Sequence, residues 1–397
     1  MSLLIKRLGL LNYEERKFLR KNKKIWFHAV SVGEIVAGKR IIEIFKERYG
    51  KEKVVVTCVT PTGYRLAASW WKEGVYLLPL DSIFTLSRFL KEIQAYALII
   101  LETEIWPQLV SSVKKRNIPV ILINGRISDN SFPKYKRVRF FIRHILNKID
   151  FFIMQSDEDK KRIIYLGAPS CRVKVLGNLK YISCFAPLSS REQKFLHRLK
   201  DFIKDRKFFL GASTHEGEEE ILLRIYRKLK AEFSDLYLIL APRHPERSRE
   251  IIKLVKKYNF TPLVFENILE SPPLPDTIFV MNKIGYLRAL YKVCDICFVG
   301  GSLTKIGGHN ILEPAYFRKP ILSGSYFYNF KDIFNEFLKE EAIIIVKDEE
   351  ELYIKSKRVL EDDELRSYLS INCVKILNKY KNLEDEYVKC IGEFLHI

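Results

Sequence analysis

The stretch Gly300–Pro314, GGSLTKIGGHNILEP, concentrates residue types that suit an anionic ligand. It follows an apolar run, Ile296–Val299, with the length and composition of a buried parallel strand, and it leads into a helix for which Asn310 is the expected cap. Glycine lets the backbone approach a ligand closely, and free amides at a helix start suit a phosphate. Glu313, three residues beyond Asn310, can complete a capping box or accept hydrogen bonds from ribose hydroxyls. Such a turn is often only a tight connection. The order Gly307-Gly308-His309-Asn310 followed by Glu313 points further, to a nucleotide-linked sugar donor.

Carboxylates follow two other apolar runs directly. Glu34, in Ser31-Val32-Gly33-Glu34, stands where open parallel sheets hold their ligand groups and can act as a general base. The same residue also suits the first turn of a helix, where the macrodipole favours a negative charge. Glu102 and Glu104, just ahead of Pro107, can orient a substrate or tune a neighbouring acid; as helix-start acids they need no such role. Ser213-Thr214-His215-Glu216-Gly217-Glu218 reads as a helix opening with Ser213 or Thr214 as cap, where hydroxyls and amides suit a phosphate although the nearby acids argue for ordinary capping. Arg243 and His244, in the sequence PRHPER at 242–247, sit at the carboxyl end of an apolar run and offer donors to a phosphate or a base edge. A surface turn is the plain alternative. No HExxH or clustered Cys/His spacing is present, so no metal site is expected.

Positioning these residues requires a βαβ series. Strand-length runs at Ile25–Val30, Val54–Thr57, Leu98–Leu101, Val120–Ile123 and Phe151–Met154 alternate with amphipathic stretches such as Gly33–Tyr49 and Pro107–Arg116. A second series runs through Phe208–Gly211, Leu236–Leu240, Thr277–Val280, Ile296–Val299 and Ile343–Val346. The fold class is therefore α/β, with parallel sheets covered by helices on both faces. The expected division is a Rossmann-like domain at 1–177, a linker at 178–190 and a second Rossmann-like domain at 191–397, whose terminal segment Asp363–Leu395 reads as one or two helices. The expected active site lies in a cleft between the two domains.

The net charge of +20, from 68 basic and 48 acidic residues, favours an anionic partner: nucleic acid, acidic membrane or a phosphorylated small molecule. Seven cysteines, an odd number without framework spacing, do not read as a disulfide set, and Cys294 and Cys297, running into an apolar strand, read as buried thiols, which implies a reducing compartment. No run reaches the ~20 apolar residues of a spanning helix. Met1–Leu11 is short, apolar and basic, either the stub of a membrane anchor or a frayed terminus, and it lacks a signal-peptide cleavage pattern. Lys134–His144 interleaves cations with apolar residues, as in a helix lying on anionic lipid, in a nucleic-acid contact, or in a plain solvated face.

Together these motifs resemble the bacterial 3-deoxy-D-manno-octulosonic acid (Kdo) transferases that build on lipid A. The matching segments are SVGE at 31–34, TPTG at 60–63, ETEIWP at 102–107, NGR at 124–126, GNLK at 177–180, STHEGEE at 213–219, PRHPER at 242–247, GGSL at 300–303, GGHN at 307–310 and NFKDI at 329–333. They run in the family's order over nearly the whole chain. The resemblance implies a two-domain GT-B glycosyltransferase that uses CMP-Kdo as donor and a lipid A precursor as acceptor, needs no metal or other cofactor, and works at the cytoplasmic face of the inner membrane. It carries the role of base to Glu34 and transition-state stabilisation to Glu102 and Lys180. It carries donor binding to Ser213 and Thr214, to Arg243 and His244, to Ile284, Gly285 and Tyr286, and to Gly307, Gly308, His309, Asn310, Ile311, Leu312 and Glu313. Tyr286 stands where the family usually has an acid, which implies a contact through backbone only. Met1–Leu11 is shorter than the family's usual anchor, so attachment here is expected to rest on the basic surface.

A GT-B enzyme with another nucleotide-sugar, such as a UDP-sugar, is the nearest alternative. A basic nucleic-acid-binding protein is the other; it has charge in its favour but no RNP, zinc-finger or helix-turn-helix signature.

Overall fold

In the computed structural model, residues 3–199, 206–264 and 274–397 are described. Every apolar run named above becomes a strand, since Val, Ile and Phe suit a pleated surface buried on both sides. The chain divides into two compact units, Met1–Ser183 with Tyr380–Ile397, and Cys184–Lys379.

The first unit holds β1 (Lys24–Ala29), β2 (Val54–Cys58), β3 (Val75–Leu77), β4 (Ala95–Leu101), β5 (Val120–Gly125), β6 (Phe151–Met154) and β7 (Val173–Val175). They form one parallel sheet in the order β3-β2-β1-β4-β5-β6-β7. Alternate residues of β1 serve opposite layers. Trp26 packs on Phe89 of the helix Ile83–Glu92, and Phe27 packs edge-on against Phe45 of the helix Val32–Tyr49.

The second unit holds β8 (Lys207–Thr214), β9 (Leu236–Pro242), β10 (Thr261–Val264), β11 (Thr277–Val280), β12 (Ile296–Val299), β13 (Ile321–Gly324) and β14 (Ile344–Val346). Their order, again all parallel, is β10-β11-β9-β8-β12-β13-β14. In each sheet the winding reverses once, between β1 and β4 in the first and between β8 and β12 in the second. Loops leaving the carboxyl ends of those neighbouring strands diverge and leave a crevice, the usual ligand position in open α/β sheets.

Several expectations need correction. The final helix, Leu383–Leu395, does not belong with the second unit. Its apolar face, with Tyr387, Ile391 and Leu395, packs on the first: the Tyr387 hydroxyl donates to the Gly177 carbonyl at 2.7 Å, and Arg40 pairs with Glu384 at 3.0 Å. The expected linker contains a helix, Lys180–Cys184, and the boundary between units falls at its end. The 134–143 segment is two short helices, Phe132–Arg137 and Arg139–Leu146, because Val138 (φ −112°, ψ 26°) leaves helical geometry. The helix Leu3–Arg7 is not frayed. Arg7 donates to the Leu78 carbonyl at 2.6 Å, Lys6 pairs with Glu15 at 2.9 Å, and the Leu80 amide donates to the Arg7 carbonyl. Met1 and Ser2 lie outside the described residues. Among those residues no disulfide is formed, and no helix is long and apolar enough to cross a membrane.

Candidate active site

In the first unit both candidate acids leave strands that flank the reversal. Ser31 caps the helix Val32–Tyr49, which puts Glu34 in its first turn, 5% exposed. The Val30 amide donates to Glu34 Oε2 at 2.6 Å and the Ser31 hydroxyl to Oε1 at 2.8 Å. Glu34 is thus a cap carboxylate as well as a candidate base. Burial pushes its pKa up to about 7, those two hydrogen bonds hold it down, and the charges of Glu102 and Glu104 raise it further. The neighbouring TPTG turn lies against this one: Thr60 donates its amide to the Val30 carbonyl, and a Cβ on Gly63 would be in van der Waals contact with Ser31 backbone at 3.5 Å.

Glu102 leaves β4 with φ 61°, a left-handed conformation that costs a non-glycine residue energy and marks a shaped site. Glu102 and Glu104 lie ahead of the helix Pro107–Lys114 rather than in its first turn, so dipole stabilisation does not account for them. Burial raises the pKa of Glu102, while Lys180 and Arg126 pull it back. A polar lattice brings these residues together. Asn124, buried at the end of β5 with φ 56°, accepts from the Leu179 amide at 2.9 Å. Asn178 donates to Gln155 at 2.8 Å, the Lys180 amide donates to Asn178 at 3.0 Å, and the Arg126 amide donates to Thr103 at 2.8 Å.

In the second unit the glycine-rich turn is built around a residue with no assigned role, Glu218. Its buried carboxylate accepts four backbone amides: His215 at 2.9 Å and Gly301 at 2.7 Å on one oxygen, Ser302 at 2.9 Å and Leu303 at 3.0 Å on the other. Gly300 admits this carboxylate, since a Cβ there would lie 2.6 Å from Oε2. The first amides of the turn are therefore already occupied by an internal anion. Later in the turn, the His309–Ile311 amides donate to no backbone carbonyl among the described residues and can meet an external anion. Gly307 (φ 106°) and Gly308 (φ 75°) both donate to the Gly301 carbonyl and fold that segment back.

Ser213 and Thr214 do not cap a helix; they end β8, and the helix Glu218–Glu232 is preceded by Gly217. Ser213, with φ 52°, is a further strained residue at the reversal point. Arg243 follows β9, its amide bonded to the Thr214 carbonyl. Glu219, 1% exposed, pairs with Arg247 at 3.0 Å and anchors the loop that carries Arg243 and His244. Asn310 is not the cap expected of it: Ile311 holds that position, Asn310 accepts from the Leu312 amide at 3.1 Å from one residue ahead, and the helix Leu312–Tyr316 has only five residues and a correspondingly small dipole. Ile284 and Gly285 form an exposed turn; the Tyr286 side chain is turned inward against Phe195, and Arg191 donates to its hydroxyl.

His215, Glu218, Glu219 and Arg247 escape a reading by residue type. All fall within matched segments, but which acid of a Glu-rich helix start points inward is set by the neighbouring loops. Among the described residues no three His, Cys, Asp or Glu side chains gather as a metal site requires.

Two seven-stranded parallel sheets, each reversing its winding once, define a GT-B glycosyltransferase architecture. A UDP-GlcNAc 2-epimerase structure from Neisseria meningitidis superposes with TM-score 0.63 over 93% of this chain and 100% of its own, at 13% identity, which speaks to fold alone. A family profile described as 3-deoxy-D-manno-octulosonic-acid transferase (kdotransferase) matches residues 4–183. The 3-deoxy-D-manno-octulosonic acid transferase of Haemophilus influenzae is 34% identical over 81% of this chain and 75% of its own length. A bifunctional glycosyltransferase/methyltransferase of Fusobacterium nucleatum is 34% identical over 95% of this chain, which spans 61% of that protein. The chain belongs to the 3-deoxy-D-manno-octulosonic acid transferase family.

Proposed function

We propose that the chain transfers Kdo from CMP-Kdo to a lipid A precursor, inverting the anomeric centre, with Glu34 as general base. Glu34 itself carries this reading: a buried carboxylate, fixed by Val30 and Ser31 at the sheet reversal, with a pKa near 7. A base works best when its pKa lies near the operating pH. Kdo is a ketose with a carboxylate on its anomeric carbon, so loss of CMP develops an oxocarbenium-like centre beside a negative charge. The acceptor hydroxyl attacks the face opposite the phosphate while Glu34 takes its proton. Lys180 pairs with the Kdo carboxylate, and the negative Glu102 stabilises the developing positive centre. Arg243, His244 and the 307–313 turn hold the nucleotide, with the backbone of Ile284–Tyr286 against the base. Arginine and backbone amides supply the positive charge that the phosphate needs, so the scheme uses no metal ion.

Because the acceptor is a lipid, the first unit docks on the cytoplasmic face of the bacterial inner membrane through Met1–Leu11 and Lys134–Arg143. Phe140 is 95% exposed and Phe141 and Val138 are more than half exposed, set among Lys134, Lys136, Arg137, Arg139 and Arg143. Apolar side chains ringed by cations suit an anionic interface, at about 1 kcal/mol per basic residue. The test is incubation with CMP-Kdo and a lipid A precursor followed by mass spectrometry of the lipid. Kdo mass increments are expected, absent with Glu34→Gln. Transfer from a UDP-sugar in place of CMP-Kdo overturns the donor assignment.

A further inference from the structure

We infer that His215 and His309 form a proton-sharing pair that takes up a proton as the donor's phosphate binds and returns it to the leaving nucleotide. The inference rests on the nucleotide assignment above and deepens it.

His215 leaves β8 and His309 lies in the turn after β12, so the two rings meet across the reversal point of the second sheet. The rings are parallel, 5° apart in plane with centroids 5.1 Å apart, and their Nε2 atoms are 2.8 Å from each other. Two lone pairs at that separation repel, so a proton stands between them and one ring donates to the other. The arrangement is enforced. Glu218 ties both loops together through four amides, and Gly301, at φ 66°, lies against the rings, where a Cβ would come 3.0 Å from His309.

The groups facing the pair are Arg243, His244 and Arg247 from the loop after β9, with Glu218 beneath. His244 packs edge-on against His215 at 5.8 Å and lies 3.4 Å from Glu246. Burial, then His215, Arg243 and His244, push His309 down to about 4, and burial lowers His215 as well. The empty pair is therefore neutral near pH 7. A phosphate anion arriving beside Arg243 and Arg247 reverses the balance and favours a single positive charge shared by the two rings.

In the transfer step the bond between the anomeric carbon and the phosphate oxygen breaks, and its electron pair stays on that oxygen. The acceptor oxygen forms the new bond and its proton passes to Glu34. His309 gives its proton to the departing CMP, and the pair returns to neutrality. One proton has entered with the donor, and Glu34 later releases one to solvent.

The probe is cytidine 5′-methyl phosphate, a phosphodiester whose single charge does not titrate between pH 6 and 8. Binding to the full chain is measured by calorimetry at pH 6.5 in two buffers with different heats of ionisation. Wild type should take up close to one proton per ligand, whereas His215→Asn and His309→Asn should take up almost none. With CMP-Kdo, His309→Asn should lower kcat at least ~100-fold with a much smaller change in KM. His215→Gln, closer in length, serves if the asparagine variant fails to fold. Wild-type binding without proton uptake, or uptake retained in His215→Asn or His215→Gln, overturns the pair while leaving the nucleotide site intact. Failure of wild type to bind the diester overturns the nucleotide assignment and this inference together.

Discussion

Replacing Glu34 by glutamine should cost activity and raise stability, and the two effects come from the same burial. The folded protein holds this carboxyl with a pKa of about 7, against an ordinary value of 4.5. At about 1.4 kcal/mol per tenfold change in proton affinity, keeping Glu34 ionised in the fold costs about 3 kcal/mol. Because the folded pKa is the higher one, the stability contributed by proton binding is fully present below about pH 4.5 and is lost as pH rises through about 7. Glutamine is neutral throughout and keeps it. The glutamine oxygen accepts the Val30 amide less strongly than a carboxylate and its NH2 donates to the Ser31 hydroxyl instead of accepting from it, a loss of about 1 kcal/mol. The variant should therefore be about 2 kcal/mol more stable than wild type at pH 8 and no more stable at pH 4.5. Turnover should fall at least ~100-fold, with CMP affinity unchanged. Denaturation at both pH values, beside a transfer assay, measures each part. Near-normal turnover removes Glu34 from the chemistry, and a stability difference independent of pH refutes the burial argument.

Glu218→Gln turns an amide NH2 towards two backbone donors, so it should destabilise the protein by about 3 kcal/mol or more and weaken CMP binding, readable by denaturation and calorimetry. Arg243→Ala removes a charge-assisted hydrogen bond and should weaken CMP binding ~10- to 100-fold; unchanged affinity in both Arg243→Ala and Glu313→Ala would move the nucleotide elsewhere. Reversing Lys136, Arg137 and Arg139 to Glu should reduce co-sedimentation with anionic vesicles while CMP affinity holds, and added salt should weaken wild-type binding; equal co-sedimentation makes this segment an ordinary solvated surface. Tyr387→Phe removes the bond to Gly177 and should lower stability by about 1 kcal/mol without altering CMP affinity.

The strands hidden from pattern reading show where sequence information thins out. β3 and β7 have three residues each, too few to establish alternation, and β10 is an edge strand carrying Pro262, which only an edge tolerates. β13, Ile-Leu-Ser-Gly, ends in a glycine that reads as a turn, yet this glycine lets β13 pass within van der Waals contact of Ser302. The break at Val138 is invisible for a different reason: its cations and apolar residues keep helical spacing through the interruption.

The sequence by itself determined the period of the longer elements, the parallel character of both sheets and the motif order that marks the family, because burial on two faces and turn chemistry are local properties. It placed Glu34, Glu102, Arg243 and the 300–314 turn at strand ends for the same reason. Only the tertiary structure decided what those groups meet. Glu34 gains its raised pKa from burial among residues remote in the chain. Lys180 reaches Glu102 through Asn124, Gln155 and Asn178, at or just beyond the ends of neighbouring strands. The last helix covers the first core rather than the second, since an amphipathic stripe specifies that a face is buried but not against what. Glu218 occupies the amides at the start of the glycine turn and His215 meets His309 because β8 and β12 are adjacent in the sheet while more than eighty residues apart in the chain, a proximity created by strand order alone.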